Sequence, residues 1–195
     1  MRSATIERKT RETAIRATLA LDGAGAPSRV ATGLPFFDHM LDSFARHGGF
    51  DLEMACSGDV EVDGHHTIED CGLVLGQALR EALGDKAGIA RYGHSYVPFD
   101  ETLVRAAVDL SGRPYLVFKA DLGTGLLGSF DVELAEDFFQ ALCTAGMFNL
   151  HLEVLYGRNR HHMVEGLFKA CTRALRMAVA LDPRASGIPS TKGSL

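Results

Sequence analysis

A pair of histidines followed three residues later by a glutamate occurs twice in this chain of 195 residues. The first copy reads HHTIE over residues 65–69, and the second reads HHMVE over residues 161–165. Residues i and i+4 lie on one face of a helix, so the first histidine and the glutamate of each copy can bind one metal ion together. The second histidine points about 100° away, which leaves it free to bind another ion. The repeat therefore predicts a centre with two metal ions.

Two further polar residues hold matching places in the two halves of the chain. His39 precedes Phe50 by 11 residues, and Asp137 precedes Phe148 by the same 11 residues. We interpret His39 and Asp137 as equivalent residues that complete the ligand set. This mixture of imidazole and carboxylate fits Mn, Fe, Co, Ni or Zn, and octahedral ions would keep positions open for substrate and water. The predicted metal ligands are His39, His65, His66, Glu69, Asp137, His161, His162 and Glu165.

A simpler interpretation is that these histidines cap helices or lie in polar surface loops, because short motifs often occur by chance. Glu69 by itself would also be explained by the helix dipole, since a carboxylate in the first turn is stabilising without any metal. The matched repeat of both histidines and the glutamate favours the metal centre. Three other histidines have no repeat partner and are interpreted as structural or close to the substrate: His47, His94 and His151.

Apolar spacing predicts the elements that position these residues. A helix is expected from Pro35 to His47, ended by the two glycines that follow, and a long amphipathic helix is expected to begin at each histidine pair. The segment 133–146 has the same helical pattern. Alternation of apolar and polar residues predicts a small antiparallel sheet near the start of the chain. The predicted strands are 4–10, 14–21, 29–33, 50–56, 94–100, 101–110, 114–120 and 148–156.

The order of these elements repeats, which predicts an α+β fold made of a duplicated sheet-plus-helix unit. We expect one domain over residues 1–195, in which the pseudo-symmetric halves 1–92 and 93–195 pack together. The last 15 residues are rich in Gly, Ser and Pro, so they form either a disordered end or a loop that orders around a ligand.

Composition limits the classes of partner. The chain is 46% hydrophobic and 23% charged, enough to bury a sizeable core, and its net charge of −5 argues against binding to nucleic acid or to an anionic membrane. No apolar stretch approaches the roughly 20 residues that cross a bilayer. The four cysteines form no C-x-x-C pair and no signal peptide is apparent, so free thiols in the cytoplasm are expected. The partner is predicted to be a small molecule.

Several segments in this order resemble the imidazoleglycerol-phosphate dehydratase family: FFDHMLDSFARHGGFD, HHTIED, RYGH, SGRPYL, HHMVE and STKG. The resemblance extends from RKTRET to the end of the chain. It implies a hydro-lyase of histidine biosynthesis that converts D-erythro-imidazoleglycerol phosphate to imidazoleacetol phosphate. It also implies two Mn²⁺ ions in each active site, sites shared between subunits of a 24-subunit assembly, and a fold of the ribosomal protein S5 domain 2-like class.

The resemblance assigns roles to individual residues. Glu12 matches a glutamate that contacts the substrate, although by itself it is equally well explained as a solvated charge at a strand end. The candidate catalytic carboxylates are Glu12, Glu69 and Glu165, the last two also being metal ligands. Asp137 departs from the family, many members of which have histidine there. The implied substrate-binding residues are Glu12, His39, His47, His65, Arg91, Arg113, His161, Lys169, Ser190 and Lys192, among which Arg91, Arg113, Lys169, Ser190 and Lys192 match phosphate contacts.

Two other classes of function use similar residues. A dinuclear phosphoesterase also needs two metal ions, but its ligand sets are rich in aspartate, whereas histidine dominates here. A metal-binding assembly protein would use the same ligands to join subunits without catalysis. Turnover of generic phosphate esters would indicate the first class, and metal-dependent oligomers without dehydratase activity would indicate the second.

Overall fold

The computed structural model describes residues 2–23, 25–185, 187–193 and 195. It has the α+β fold predicted from the sequence, with two halves that each contain a four-stranded sheet and two helices. In chain order the elements are β1 (Ser3–Lys9), β2 (Thr13–Ala20), β3 (Arg29–Ala31), α1 (Pro35–Gly48), β4 (Asp51–Gly58), α2 (His65–Leu83), β5 (Tyr92–Phe99), β6 (Thr102–Asp109), β7 (Tyr115–Lys119), β8 (Leu126–Leu127), β9 (Phe130–Asp131), α3 (Leu134–Gly146), β10 (Asn149–Tyr156) and α4 (Arg160–Val179).

The two large sheets have the same topology, β1-β2-β4-β3 in the first half and β5-β6-β10-β7 in the second. The strands β1, β2 and β4 pair antiparallel, as the sequence predicts, but β3 runs parallel to β4. The prediction of an antiparallel sheet was therefore wrong for the edge strand β3. The physical reason is the helix α1 between β3 and β4, which returns the chain to the same end of the sheet. In the second half β7 runs parallel to β10 for the same reason, with α3 in the connection.

The four helices form a layer between the two sheets. α2 packs on β1 and β2, α4 packs on β5 and β6, and the helices meet across the middle as the pairs α2 with α3 and α1 with α4. Aromatic rings fill this middle layer, where Phe138 lies 4.9 Å from Phe168 and 5.4 Å from Phe37 between ring centroids. Each long helix therefore contacts a short helix of the other half. None of the described helices has the length and apolar character needed to cross a bilayer.

Two glycines of α2 allow its backbone to pack directly against the backbone of α3. A Cβ atom on Gly72 would lie 2.7 Å from the carbonyl oxygen of Phe138. A Cβ atom on Gly76 would overlap the carbonyl oxygen of Leu142 and would lie 2.8 Å from the amide nitrogen of Gly146. Because real Cβ atoms do not approach backbone this closely, any side chain at either position pushes the two helices apart.

The beginning of α2 is also tied to the first sheet through Asp70. This carboxylate, whose side chain is 8% exposed, accepts hydrogen bonds from Thr13 Oγ1 at 2.5 Å and from Arg8 Nε at 2.9 Å. A buried carboxylate needs such partners, because an unpaired charge away from water is costly. The contacts fix the first turns of α2, including the HHTIE segment, against β1 and β2.

The described part of the C-terminal tail lies along the second half of the molecule. The Gly88 amide donates to the Gly187 carbonyl at 2.8 Å, and the Asp182 amide donates to the Gly88 carbonyl at 2.9 Å. The Arg91 side chain donates to the Pro189 carbonyl, also at 2.9 Å. These contacts hold the tail beside the start of β5.

The helix contact gives a stability prediction for Gly76→Ala. Alanine favours a helix over glycine by about 1 kcal/mol, but the overlap with α3 should outweigh this gain and give a net loss of about 1 to 3 kcal/mol. Urea unfolding at fixed protein concentration measures the change. Arg80→Ala, on the exposed face of the same helix, is the control and should stay within about 0.5 kcal/mol. A more stable Gly76→Ala protein would contradict the close contact.

Candidate metal centre

The first cluster of side chains that could hold a metal ion lies at the beginning of α4 and is called the α4 cluster. It consists of His39 from α1 with His161 and Glu165 from α4. Glu165 Oε2 lies 2.9 Å from His161 Nε2 and 3.6 Å from His39 Nε2. One ligand atom from each residue lies within 4.8 Å of the other two, a spacing that a single metal ion can bridge.

Local interactions hold the α4 cluster in place. The helix begins after Asn159, whose side-chain oxygen accepts from the His161 amide at 2.9 Å. Lys169, one turn beyond Glu165, approaches Glu165 Oε1 at 2.6 Å and lies over the Phe99 ring. Burial would raise the pKa of Glu165, but the hydrogen bond and charge of Lys169, with the His161 hydrogen bond, lower it below its ordinary value. Glu165 is therefore held as a carboxylate ready for an ion.

A second group of similar composition lies at the beginning of α2 and is called the α2 cluster. It consists of His65 and Glu69 from α2 with Asp137 from α3. His65 Nε2 lies 4.0 Å from Glu69 Oε2, and His65 Nδ1 lies 3.4 Å from Asp137 Oδ2. All three side chains are between 41% and 48% exposed, whereas in the α4 cluster Glu165 is 8% exposed and the two histidines are 43% and 57% exposed.

Each cluster contains one residue that comes from the other half of the chain. His39 belongs to the first half but joins the α4 cluster, and Asp137 belongs to the second half but joins the α2 cluster. The exchange follows from the helix layer, because α1 packs on α4 and α2 packs on α3. The sequence related His39 to Asp137 by their position, but it did not reveal which histidine pair each would join.

The second histidine of each pair turns one ring nitrogen to a carboxylate that sequence reasoning missed. His66 Nδ1 lies 3.0 Å from Asp59 Oδ2, and His162 Nδ1 lies 2.7 Å from Glu101 Oε2. Glu101 also accepts from the Asn159 amide at 2.8 Å. The hydrogen bond from His162 lowers the pKa of Glu101 well below its ordinary value. No sequence signal pointed to Glu101, because 60 intervening residues separate it from its histidine.

Glu12 lies close enough to His66 to affect its titration. The Asp59 hydrogen bond is the main cause that raises the pKa of His66, and the negative charge of Glu12 adds to it. Glu12 follows β1 in the turn to β2, and α2 packs on both strands. The structure therefore places this predicted catalytic residue in the same region as the second histidine of α2.

An open cavity of about 660 Å³ adjoins the α4 cluster. His39, Glu165, Lys169 and His47 all line it. Burial lowers the pKa of His47, and the positive charges of Lys169 and Arg173 lower it further. The cavity thus combines His39 and Glu165 with two cations, Arg46 and Lys169, and a second carboxylate, Asp42.

The other residues predicted to contact phosphate lie at the opposite end of α4. The Arg91 amide donates to the Ala178 carbonyl at 2.9 Å. The helix from Glu165 to Ala178 is about 20 Å long at roughly 1.5 Å per residue. Arg91 also pairs with Asp109 at 2.7 Å, and the described end of the tail, Leu195, lies against Gly112. The structure therefore gathers Arg91, Arg113 and the tail with Ser190 and Lys192 at this end, away from the α4 cluster of the same chain.

The sequence of the chain matches known proteins over most of its length. The family model described as imidazoleglycerol-phosphate dehydratase matches residues 32–175. The chain is 60% identical over 193 residues to the imidazoleglycerol-phosphate dehydratase of Lacticaseibacillus casei strain BL23, which covers 99% of both chains. It is 62% identical over 190 residues to the protein of that name from Symbiobacterium thermophilum, covering 97% of this chain and 91% of the other.

Solved structures of similar fold carry the same name. The imidazoleglycerol-phosphate dehydratase from Staphylococcus aureus superposes with a TM-score of 0.84 at 39% identity, covering 92% of this chain and 99% of that chain. The one from Pyrococcus furiosus superposes with a TM-score of 0.83 at 34% identity, covering 97% and 100% of the two chains. The similarity therefore extends over both halves of the fold.

The ion pair of Lys169 with the buried Glu165 gives a second prediction. Lys169→Met keeps the apolar stem but leaves the carboxylate without its cation, and we expect the free energy of unfolding of the metal-free protein to fall by about 3 kcal/mol. Urea unfolding in the presence of a chelator measures it. Arg173→Met, one turn further along the exposed face of α4, is the matched control and should change stability by less than about 0.5 kcal/mol. Equal effects of the two substitutions would show that the pair does not stabilise the fold.

Proposed function

This chain belongs to the imidazoleglycerol-phosphate dehydratase family, a hydro-lyase family of histidine biosynthesis, and we propose that its two histidine–carboxylate clusters form the dehydratase active site. The observation that carries the proposal is the convergence of His39, His161 and Glu165 on one point. Imidazole nitrogens and a carboxylate oxygen are suitable ligands for Mn²⁺ and similar divalent ions, and the ligand atoms are already close enough to share one. The side chains present therefore fit a metal ion.

Each active site would hold two Mn²⁺ ions, one at an α4 cluster and one at an α2 cluster. When bound, the ions supply Lewis-acid charge that stabilises the electron-rich imidazole ring of the substrate as water leaves. Glu165 contributes negative charge at the first ion, and its bond to Lys169 keeps the carboxylate orientation fixed. Glu69 has the corresponding place at the second ion.

His66 and His162 support a site shared between subunits. Each has its Nδ1 held by a carboxylate, and its ring is turned by 74° or 87° from that of the first histidine of the pair. With Nδ1 occupied, Nε2 is the nitrogen left for a metal ion, and at His162 the exposed Asp100 lies 3.9 Å from it. We propose that His66 completes the α4 cluster of a neighbouring subunit and that His162 completes a neighbouring α2 cluster, within a 24-subunit assembly.

The substrate would bind where the two subunits meet. His39, His47 and Lys169 line the cavity next to the α4 cluster, while Arg91 lies about 20 Å along α4. One chain therefore cannot bring Arg91 to its own α4 cluster. We propose that Arg91, Arg113, Ser190 and Lys192 bind the phosphate of a substrate held largely by neighbouring subunits, where guanidinium and ammonium groups suit a dianion.

Proton transfer is proposed for Glu12. A general acid or base has to reach the reacting group while its carboxylate is free of the metal. Glu69 and Glu165 are engaged as ligands in this proposal, whereas Glu12 is free of the metal and is near enough to His66, the residue assigned to the shared site, for its charge to act on that histidine. A metal-bound His66 would thus bring Glu12 of its own subunit to the substrate.

Turnover of imidazoleglycerol phosphate tests the reaction directly. Metal-stripped protein should give little imidazoleacetol phosphate, and added Mn²⁺ should restore product formation because both ions are required. Glu165→Gln should lower kcat by at least about 100-fold, the scale of losing one transition-state charge interaction. Assembled protein that binds Mn²⁺ but forms no product would reject the dehydratase proposal, and generic phosphate esters would then be tested as substrates.

Mixed assemblies test the sharing of sites. His39→Ala and His66→Ala should each be inactive, but co-expressed subunits should recover up to about a quarter of wild-type activity, because an intact α4 cluster can meet an intact His66. Two affinity tags allow the mixed assembly to be isolated before its activity is assayed.

The matched control combines His39→Ala with His161→Ala. These substitutions damage the same cluster in every subunit, so no complete site can form and activity should stay absent. Recovery in the control, or no recovery in the first mixture, would exclude the proposed exchange of His66 between subunits.

A further inference from the structure

The carboxylates around the four histidines of the HHxxE segments contact different ring nitrogens. Glu165 lies against Nε2 of His161, and Glu69 lies on the Nε2 side of His65. Asp59 and Glu101 lie against Nδ1 of His66 and His162 respectively. A carboxylate at Nε2 can bind the same ion as the imidazole. A carboxylate at Nδ1 can instead orient the ring by accepting a hydrogen bond from it.

Asp137 falls in the second group. Its Oδ2 lies 3.4 Å from His65 Nδ1, whereas Glu69 approaches the other nitrogen, Nε2. The two nitrogens of an imidazole ring direct their lone pairs or protons away from each other. An ion bound by His65 Nε2 and Glu69 therefore lies on the far side of the ring from Asp137.

The equivalent residue of the first half, His39, makes a different kind of contact. His39 turns Nε2 toward Glu165 Oε2, the same oxygen that contacts His161, so all three side chains converge. Aspartate is shorter than histidine and extends less far from its helix. Asp137 therefore approaches Nδ1 of His65, whereas the longer side chain of His39 extends to Glu165 Oε2 in its cluster.

We propose that Asp137 is a positioning residue for His65 and does not bind the metal ion itself. The proposal rests on the metal centre proposed above and replaces the sequence-based expectation that Asp137 is a ligand. A histidine that binds a metal through Nε2 keeps its proton on Nδ1, and a carboxylate that accepts this proton fixes both the tautomer and the ring orientation. Asp59 and Glu101 already make such hydrogen bonds to His66 and His162, and Asp137 stands 3.4 Å from the same nitrogen of His65, where a small shift would complete the corresponding bond.

The two ions of the active site then differ in their ligands. The α4 cluster supplies three ligands from its own chain, but the α2 cluster supplies only His65 and Glu69. The ion at the α2 cluster should therefore be the weaker one and should be lost first to a chelator.

Pulsed electron–nuclear resonance on the assembled, Mn²⁺-loaded wild-type protein tests direct binding. The protein is prepared with ¹³C in the γ-carboxyl groups of its aspartates. None of the other proposed ligands is an aspartate, but Asp100 Oδ2 lies 3.9 Å from His162 Nε2, so the same spectrum is also recorded for Asp100→Asn. A directly bound Asp137 would give a strong ¹³C coupling in both proteins. We expect no coupling of that size. Its observation would overturn the inference without affecting the proposed function.

Substitutions test the positioning role through metal affinity. Asp137→Ala should weaken the second Mn²⁺ by about 10- to 100-fold, the usual effect of losing an orienting carboxylate, while the ion count at saturation stays unchanged. Asp137→Asn, whose amide oxygen can still accept from Nδ1, should recover part of this loss. Glu69→Gln should lower the ion count itself.

Glu136→Gln is the matched control, because Glu136 is an exposed neighbour in the same turn of α3. It should leave both ions at wild-type affinity. Loss of one ion at saturation in Asp137→Asn, with circular dichroism and assembly unchanged, would make Asp137 a ligand and reject the inference. A wild-type protein that binds no Mn²⁺ at all would instead reject the metal centre on which the inference rests.

Discussion

The packing of each long helix against the short helix of the other half is the interaction on which the rest of the structure depends. Gly72 and Gly76 bring α2 against the backbone of α3, and a cluster of phenylalanines joins α1, α3 and α4. Close packing of this kind leaves little freedom in the relative position of the helices. The ends of α2 and α4 that carry the histidine pairs are consequently held beside α3 and α1.

This packing explains why the clusters are built from both halves. A side chain from a short helix reaches the histidine and glutamate of the long helix opposite, which joins His39 to the α4 cluster and Asp137 to the α2 cluster. Residues from both halves of the duplicated fold are therefore needed to build each cluster. Neither half contains a complete cluster, so the site exists only when the two halves are folded together.

The pseudo-symmetry of the two clusters is incomplete, and the differences have a chemical meaning. In the α4 cluster the glutamate is buried and has a lysine beside it, whereas in the α2 cluster the glutamate is exposed and has a leucine at the corresponding place. Carboxylates from loops and turns, Asp59 and Glu101, hold the remaining histidines by Nδ1. Orientation of the imidazole rings is therefore a property of residues outside the repeated motif.

The sequence by itself determined the fold class, the repeated helices and the histidine–glutamate pairs, because helical periodicity and the i, i+4 spacing are local properties of the chain. Family resemblance supplied the reaction. The tertiary structure decided which helix His39 joins, which nitrogen of His65 meets Asp137, and that Glu101 serves a histidine distant in sequence. It also decided that β3 and β7 run parallel to their neighbours and that Arg91 lies far along α4 from the α4 cluster. These features depend on how helices and sheets pack, and contacts between residues far apart in the chain leave no periodic pattern in the sequence.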